Sequence, residues 1–396
     1  MTIDWRSKGF WSPDETWSAE RIAEEQPSIF GGGFTWPLLV VRRAAVETNI
    51  ATMAAYCRRH GVDFAPHAKT TMAPGLLDAQ LRAGAWGMTV ATPNQALVLR
   101  RLGVERVLIA NEVLDPAALS WLARESGAGW EVYFQVDSVA GVEAAAVTGG
   151  PLRIFVELGH AGGRTGVRSL DELEAVAQAV AAAPGLELVG VTGYEGQLPD
   201  QAGVDAYLDR LVDGVERLAK AGLLAERPWV SAGGSAWFDR VIDRFGRLGP
   251  QVRVIVRSGA SVTHDDGFYR ERTPFVRVPE EGPLDAALEI WAQVVSAPEP
   301  GLAIAGMGKR DAPFDEGLPV PLEVRAAGGA VRPAAGVRVT KLNDHHTYLE
   351  LDGAELIPGD LIRFGISHPC TAFDKWRDIP VVDEDRRVVD VLHTYF

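Results

Sequence analysis

Lys69 is the residue of this chain whose type and position point most directly to covalent chemistry. It ends the stretch "DFAPHAK", which begins at Asp63 and has the composition of a short buried strand. A period of two places His67 and Lys69 on the same face of that strand. If this face lines a barrel, Lys69 lies at the mouth, where partial desolvation favours the neutral amine that forms Schiff bases with aldehydes. The alternative is a lysine whose ammonium group reaches solvent at a strand end.

Two turns rich in small residues indicate an anion site. The stretches "VSAGGSAW" and "RSGAS" each follow a strand-like run, and short side chains allow backbone N–H groups to surround an anion. Loops after the seventh and eighth strands of a parallel barrel commonly bind phosphate. The predicted phosphate-binding residues are Gly233, Gly234, Ser235, Gly259, Ala260 and Ser261. A lysine amine and a phosphate site are what pyridoxal 5'-phosphate (PLP) requires.

Two further residues follow strand-like runs. Arg164 lies in the glycine-bounded loop "GHAGGRTGV", where its guanidinium could hold the cofactor ring or a hydrogen-bonding partner. Tyr194, in "VTGYEGQ", could pack on the pyridine ring or donate a hydrogen bond to it. A surface arginine and an aromatic residue at the barrel rim are the alternatives.

A candidate metal site lies near the C-terminus, in "ISHPCTAFDKW". His368 and Cys370 are two positions apart, so in an extended segment both side chains face the same way, and imidazole with thiolate is a ligand pair that zinc favours. Two protein ligands leave positions open for water or substrate, as a catalytic metal requires. Loop or core residues without a metal are the alternative. Cys57 lies in a helical pattern and is interpreted as a packing residue.

The elements that must position these residues alternate between short apolar runs and amphipathic segments, which is typical of βα units. Counted from Asp63, eight strands are predicted, namely "DFAPHAK", "WGMTVAT", "RVLIANE", "WEVYFQVD", "LRIFVELG", "LELVGVTGY", "WVSAGG" and "RVIVRSG". Eight parallel strands with their helices favour a (β/α)8 TIM-type barrel. Because no G-x-G-x-x-G turn follows a strand, nothing supports a dinucleotide-binding crevice.

After about residue 275 the sequence changes to short strand-like runs with frequent turn residues, which predicts a second, C-terminal antiparallel β domain. The predicted organisation is an N-terminal segment, 1–36, packing on the β domain; a PLP-binding α/β barrel with its preceding strand, 37–275; and a β domain that carries the metal ligands, 276–396. The early strand "PLLVVRR" is expected to join the β domain.

Composition excludes several classes of protein. The 396 residues are 47% hydrophobic and 23% charged, as in a soluble globular protein. A net charge of -14 would repel a phosphate backbone, so nucleic acid is not an expected partner. No apolar run is long enough to span a membrane, and the N-terminus lacks the apolar segment of a signal peptide. With only two cysteines, the sequence predicts a cytoplasmic protein without disulfides.

The chain contains, in this order, the motifs "PHAKT", "GGRTGV", "SAGGS", "HDDGFY" and "SHPCTAFDKW". Together they resemble the D-serine dehydratase and D-threonine aldolase family. Members of this family are fold type III PLP enzymes, distantly related to alanine racemase. The likeness extends from about residue 35 to the C-terminus. Its most specific part is S-H-P-C, because aldolases of the family hold their metal with His and Asp two positions apart, whereas the D-serine dehydratase branch uses His and Cys.

The resemblance implies that Lys69 bonds covalently to PLP, with His67 beside it. It implies that Arg164 and Tyr194 contact the cofactor, and that His368 and Cys370 bind a divalent metal, with zinc as the expected ion. A small D-amino acid is the implied substrate and a homodimer the implied assembly. The leading functional hypothesis is a D-3-hydroxy amino acid dehydratase of the D-serine ammonia-lyase type. The alternatives are a D-threonine aldolase and a PLP-binding protein without turnover.

Overall fold

The computed structural model describes residues 2–396, which form two compact units. The barrel unit comprises Met53–Lys69 and Gln80–Gly259. The β unit comprises residues 2–52, Thr70–Ala79 and Ala260–Phe396. No helix within residues 2–396 has both the length and the hydropathy that a membrane span requires.

Eight parallel strands form the sheet of the barrel unit, as the sequence predicts. In chain order they are Asp63–Phe64, Met88–Val90, Arg106–Glu112, Glu131–Val136, Leu152–Glu157, Leu186–Thr192, Trp229–Ala232 and Arg253–Val256. The eighth strand pairs with the first. The first strand also reaches the second, because the N–H of Trp86 donates to the carbonyl of Phe64 at 2.8 Å and His67 forms a parallel bridge with Thr89. These contacts close the sheet into a barrel.

Helices alternate with the strands, and their first residues carry recognisable start signals. The α-helices of the chain are Ala19–Glu25, Arg43–His60, Pro74–Arg82, Pro93–Arg101, Pro116–Gly127, Val139–Ala146, Leu170–Ala182, Gln201–Lys220, Phe238–Phe245 and Pro274–Arg277. Thr92 and Asp115 accept a hydrogen bond from the first turn of their helices, each followed by proline. Ser169 and Glu172 form a reciprocal capping box. These caps fix where each strand-to-helix loop ends.

The inside of the barrel changes from apolar to polar along the strand direction. Ala65, Leu108, Tyr133, Phe155 and Ile255 belong to one buried cluster. Since the next inward position on a strand is two residues later, Gln135, Glu157 and Arg257 follow Tyr133, Phe155 and Ile255 on the same face. All three polar residues are buried. The polar layer lies toward the C-terminal ends of the strands, where barrel enzymes carry their active sites.

The β unit is built mainly from antiparallel strand pairs, with one parallel pair between Leu38–Arg42 and Asp378–Val382, and confirms the predicted second domain. Its longer strands are Leu38–Arg42, Leu288–Glu299, Leu302–Ala305, Val320–Arg325, Val331–Pro333, Val337–Leu342, Thr347–Leu351, Leu361–Gly365, Asp378–Val382 and Val388–His393. Leu38–Arg42 pairs with Leu288–Glu299, so the early strand joins this sheet as expected. From the N-terminal segment, Ile3, Phe10 and Ile22 pack in one core cluster with Leu38 and Trp291.

Candidate active site

Lys69 lies in a short 3-10 helix, Ala68–Thr70, and not at the end of a long strand. The prediction that the strand continues to Lys69 is therefore wrong, because the regular strand stops at Phe64. Pro66 explains the early end, since proline has no N–H to donate to a neighbouring strand. The direction of the half-buried Lys69 side chain is set by the turn that follows the bridge at His67, and not by strand alternation.

His67 has a ring nitrogen that the barrel unit leaves unsatisfied. Its Nδ1 is buried and has no hydrogen-bond partner among residues 2–396. Burial, followed by the positive charges of Lys69 and Arg257, holds the pKa of His67 well below its usual value. The imidazole is consequently neutral at physiological pH. A buried polar atom without a partner in a barrel mouth fits a site that a ligand completes.

Arg257, which the sequence analysis did not single out, is the most deeply buried cation of the site, with 7% of its surface exposed. Its guanidinium donates to the hydroxyls of Thr192 at 3.0 Å and Ser231 at 2.6 Å, and to the carbonyl of Gly193 at 2.8 Å. These partners are uncharged. Two carboxylates of the barrel compensate part of the charge of this buried cation, and an anionic or electron-rich ligand in the same cavity would compensate more of it.

Arg164 and Tyr194 are brought together by the structure. The Arg164 guanidinium carbon lies 4.3 Å from the centroid of the Tyr194 ring, a cation–π distance. Both residues line a small pocket together with Glu157. Burial raises the pKa of Glu157, which accepts a hydrogen bond from the hydroxyl of Thr165 at 3.0 Å.

The loop that carries Arg164 is held by its neighbours. The Arg168 guanidinium donates to the carbonyls of Gly163, Thr165 and Gly166 at 2.6–2.7 Å. Asp137 accepts the N–H of Gly166 at 2.8 Å. The loop is thus fixed by the protein itself, and Arg164, although exposed, extends from a defined base.

Gly233 and Gly234 both donate their N–H groups to the buried carboxylate of Glu195, at 3.1 Å and 2.6 Å. Their acceptor in this structure is thus a side chain of the protein, and phosphate binding by this turn stays a prediction. Gly233 has a φ of 92°, which explains why glycine stands there. The next residue, Ser235, accepts a hydrogen bond from Ser258 at 3.0 Å. Glu195, missed by the sequence analysis, therefore supports the turn that was assigned to phosphate.

The second predicted phosphate turn follows the eighth strand. Gly259 is the last residue of the barrel unit. Ala260 and Ser261 begin a 3-10 helix, Ala260–Val262, in the β unit, and both are buried. The carbonyl of Ala260 accepts the N–H of His264 at 2.7 Å, which tightens the turn. Phosphate binding by these three residues stays a prediction.

His368 and Cys370 lie in the β unit, at the start of the 3-10 helix Pro369–Thr371. The Nδ1 of His368 lies 2.8 Å from a carboxylate oxygen of Asp315. Burial opposes the charged imidazole, but hydrogen bonds and charge from Cys370 and Asp315 outweigh it and raise the pKa of His368 to about 9. Thr70, next to Lys69 in sequence, has its hydroxyl 3.9 Å from the Cys370 sulfur.

The donor set fits a metal, since imidazole and thiol are soft ligands that zinc prefers. The contact with Asp315 uses Nδ1 of His368 and leaves Nε2 as the nitrogen for a metal. Within residues 2–396, however, no group of three or more His, Cys, Asp or Glu side chains is arranged as a complete protein-only site. The pair resembles an open site that water or substrate must complete.

Comparisons with known proteins assign this architecture to a family. Residues 41–250, more than half of the chain, match the family described as "Alanine racemase, N-terminal domain". The chain belongs to this alanine racemase family. Residues 287–382 match a second family, described as "Putative serine dehydratase domain". This pair of matches confirms the predicted relationship, and the family supports PLP as the cofactor.

Several individual proteins are similar over most of the chain. A 3-hydroxy-D-aspartate aldolase of Paracoccus denitrificans is 28% identical over 346 residues, which is 84% of each protein. The solved D-threonine aldolase of Filomicrobium marinum is 26% identical, with a TM-score of 0.77 over 91% of this chain and 95% of that one. The D-threo-3-hydroxyaspartate dehydratase of Delftia sp. HT23 is 25% identical, with a TM-score of 0.73 over 91% and 97%. These relatives are lyases, which confirms the predicted enzyme class.

Proposed function

We propose that the protein is a PLP- and divalent-metal-dependent dehydratase of D-3-hydroxy amino acids, an ammonia-lyase that yields a 2-oxo acid and ammonia. The single observation that carries the proposal is the His368 and Cys370 pair, in which Asp315 lies 2.8 Å from Nδ1 of the imidazole and leaves Nε2 for an ion. Cysteine at the second ligand position is the feature that the sequence resemblance associates with the dehydratase branch.

The barrel unit supports the PLP part of the proposal. Lys69 is the amine available for a covalent link, and the buried Arg257 and the unsatisfied His67 nitrogen provide polar groups for a ligand in the mouth. PLP, when bound, supplies an electron sink that acidifies the α-proton of an amino acid. Lys69 Nζ then takes that proton, because an amine displaced by the substrate is neutral and basic.

The remaining polar groups of the mouth have supporting tasks. His67 is neutral because its pKa is low, so its ring adds no positive charge beside Lys69. Arg257 holds negative charge that develops on a ligand, and its three hydrogen bonds prevent it from moving with that ligand. Arg164, stacked on Tyr194, presents a second cation from the loop after the fifth strand.

The β unit supports the metal part. A divalent metal held by His368 and Cys370, with zinc as the proposed ion, supplies Lewis-acid polarisation of a hydroxyl group on the β-carbon of the substrate. This help matters because hydroxide is a poor leaving group. His368 and Cys370, at the start of the 3-10 helix Pro369–Thr371, would hold the ion, and Asp315 keeps the imidazole oriented.

A second candidate function is a D-3-hydroxy amino acid aldolase, which breaks the Cα–Cβ bond and gives glycine and an aldehyde. The specific observation in its favour is that two of the relatives reported above, from Paracoccus and Filomicrobium, carry aldolase names. The same lysine and metal ligands serve this reaction if a base takes the proton of the β-hydroxyl group.

Product analysis separates the two reactions. Purified protein loaded with PLP and zinc is incubated with D-serine and D-threonine, with and without a chelator, and ammonia, 2-oxo acid, glycine and aldehyde are measured. Ammonia and 2-oxo acid in equal amounts, lost on chelation and restored by zinc, are expected. Glycine with an aldehyde as the main products would replace the dehydratase by the aldolase. Turnover that is insensitive to chelation would refute the proposed role of the metal.

A further inference from the structure

Asp315 contacts both sides of the segment that carries the two proposed metal ligands. One carboxylate oxygen, Oδ2, lies 2.8 Å from Nδ1 of His368. The other, Oδ1, accepts a hydrogen bond from the hydroxyl of Thr371 at 2.9 Å. Cys370 lies between these two contacts in sequence. We infer that Asp315 is a positioning residue for divalent metal binding, which orients His368 and fixes the turn that presents Cys370. The inference rests on the proposed function.

The contact with His368 decides which ring nitrogen is available. A neutral imidazole has one N–H and one lone pair, and a carboxylate can only accept a hydrogen bond. When Nδ1–H donates to Asp315, the lone pair must be on Nε2, and the ring can rotate only by losing the bond. Carboxylates that hold metal-binding histidines in this way also raise the basicity of the imidazole.

A purely structural role for the pair is a weaker explanation. The Asp315 side chain is 41% exposed, and ion pairs with a partner this exposed contribute little to folding. The faces of the His368 ring are held by other residues, because the rings of Phe268 and Tyr269 each lie 5.7 Å away, measured between centroids. The carboxylate is therefore required for the orientation of the ring nitrogens more than for keeping the ring in the fold.

The loop that carries Asp315 is anchored independently of Asp315 itself. The hydroxyl of Ser367 donates to the carbonyl of Gly317 at 2.9 Å, and the indole N–H of Trp376 donates to the carbonyl of Asp311 at 2.9 Å. The first bond joins the loop after Asp315 to the residue before His368. The second joins the loop before Asp315 to a residue that follows Cys370 in the chain. Replacing the carboxylate should thus leave the loop in place, so that metal binding can be measured without unfolding.

The test is a competition titration of zinc against a chromogenic chelator, with wild-type protein and the variants Asp315→Asn, Thr371→Val and Asp374→Asn. We expect Asp315→Asn to weaken zinc binding by about 10- to 100-fold, the usual effect of removing a carboxylate behind a histidine ligand. Thr371→Val, which removes only one of the two contacts, should have a smaller effect. Asp374→Asn removes an exposed carboxylate in the next 3-10 helix, Phe373–Lys375, whose charge acts on Asp315; it measures the effect of charge alone and should weaken zinc binding less than Asp315→Asn.

A second measurement distinguishes orientation from a general loss of structure. With cobalt(II) at saturating concentration in place of zinc, Asp315→Asn should change the visible absorption of the bound ion, while the thermal midpoint of unfolding in the absence of metal stays that of wild type. Wild-type zinc affinity in Asp315→Asn, together with loss of binding in His368→Ala and Cys370→Ser, would overturn the inference and leave the proposed metal site intact. Absence of zinc binding by the wild type would refute both.

Discussion

The guanidinium of Arg164 lies over the ring of Tyr194, with 4.3 Å between the guanidinium carbon and the ring centroid. Because Tyr194 holds the cation above the pocket, Tyr194→Ala should release Arg164. A cation–π contact contributes roughly 0.5–2 kcal/mol, so we expect affinity for PLP to fall by about 2- to 30-fold. Fluorescence titration of the apoprotein with PLP measures the change.

Tyr194→Phe is the matched control, since it keeps the ring face and removes only the hydroxyl. Its affinity for PLP should stay near the wild-type value if the ring is what holds Arg164. Equal losses in the alanine and phenylalanine variants would instead assign the effect to the hydroxyl, and the stacking argument would be wrong.

Lys69 should be the only attachment point for PLP. Lys69→Arg keeps a positive charge, but the guanidinium stays protonated and cannot form the covalent link. We expect borohydride treatment of the wild type to fix the cofactor to the peptide containing Lys69, as detected by mass spectrometry. The Lys69→Arg variant should show no such adduct and no turnover. A fixed cofactor in that variant would show that another amine is used; Lys309→Arg serves as the control for a general effect of substitution.

Much of the barrel unit could be predicted from the sequence because its signals are local. Eight apolar runs separated by capped helices predict the barrel, and Lys69 and Arg164 stand out beside proline or glycine in short motifs. Arg257 did not stand out, although it begins the stretch "RSGAS", because nothing in the local sequence shows that its side chain is buried. Its importance depends on contacts with Thr192 and Ser231, 65 and 26 residues away.

Two carboxylates were missed for the same reason. Asp315 is separated from His368 by 53 residues, and Glu195 from Gly233 by 38. Nothing in the spacing of either pair predicts the contact, because it is made by loops that only the folded chain brings together. Glu195 also changes the interpretation of the turn that contains Gly233 and Gly234. A glycine-rich turn indicates N–H groups that can donate, but it does not identify their acceptor.

Glu195 should stabilise the turn after the seventh strand. Glu195→Ala leaves the N–H groups of Gly233 and Gly234 without their acceptor, and an unsatisfied buried donor costs about 1–3 kcal/mol. We expect the free energy of unfolding to fall by about 2–6 kcal/mol for the two donors, measured by urea denaturation. Affinity for PLP should fall as well, because the turn also carries Ser235.

The control is Gln197→Ala, an exposed residue three positions before the cap of the following helix. It should unfold like wild type. If Glu195→Ala were as stable as the control, the two hydrogen bonds would have to be replaced by water, and the turn would not depend on the carboxylate.

His264 should make the β unit sensitive to acid. The residue is 6% exposed, and burial, with a smaller contribution from the charge of Arg270, lowers the pKa of His264 from 6.5 to about 4. As the pH falls, the unfolded chain takes up a proton near pH 6.5 and the folded chain only near pH 4. The unfolded state binds more protons in this window, so stability is present above pH 6.5 and is lost as the pH falls to 4. The loss is about 3 kcal/mol for a shift of this size.

Substitution by asparagine tests this directly. His264 has a φ of 48°, a left-handed conformation that asparagine tolerates, so His264→Asn removes the titrating ring with little backbone strain. The drop in urea midpoint between pH 7 and pH 4 should be smaller in His264→Asn than in wild type. His346→Asn, which replaces an exposed ring, should follow the wild-type pH dependence. If His264→Asn and the control variant both lost as much stability in acid as the wild type, protonation of other groups would explain the loss, and His264 would not contribute to it.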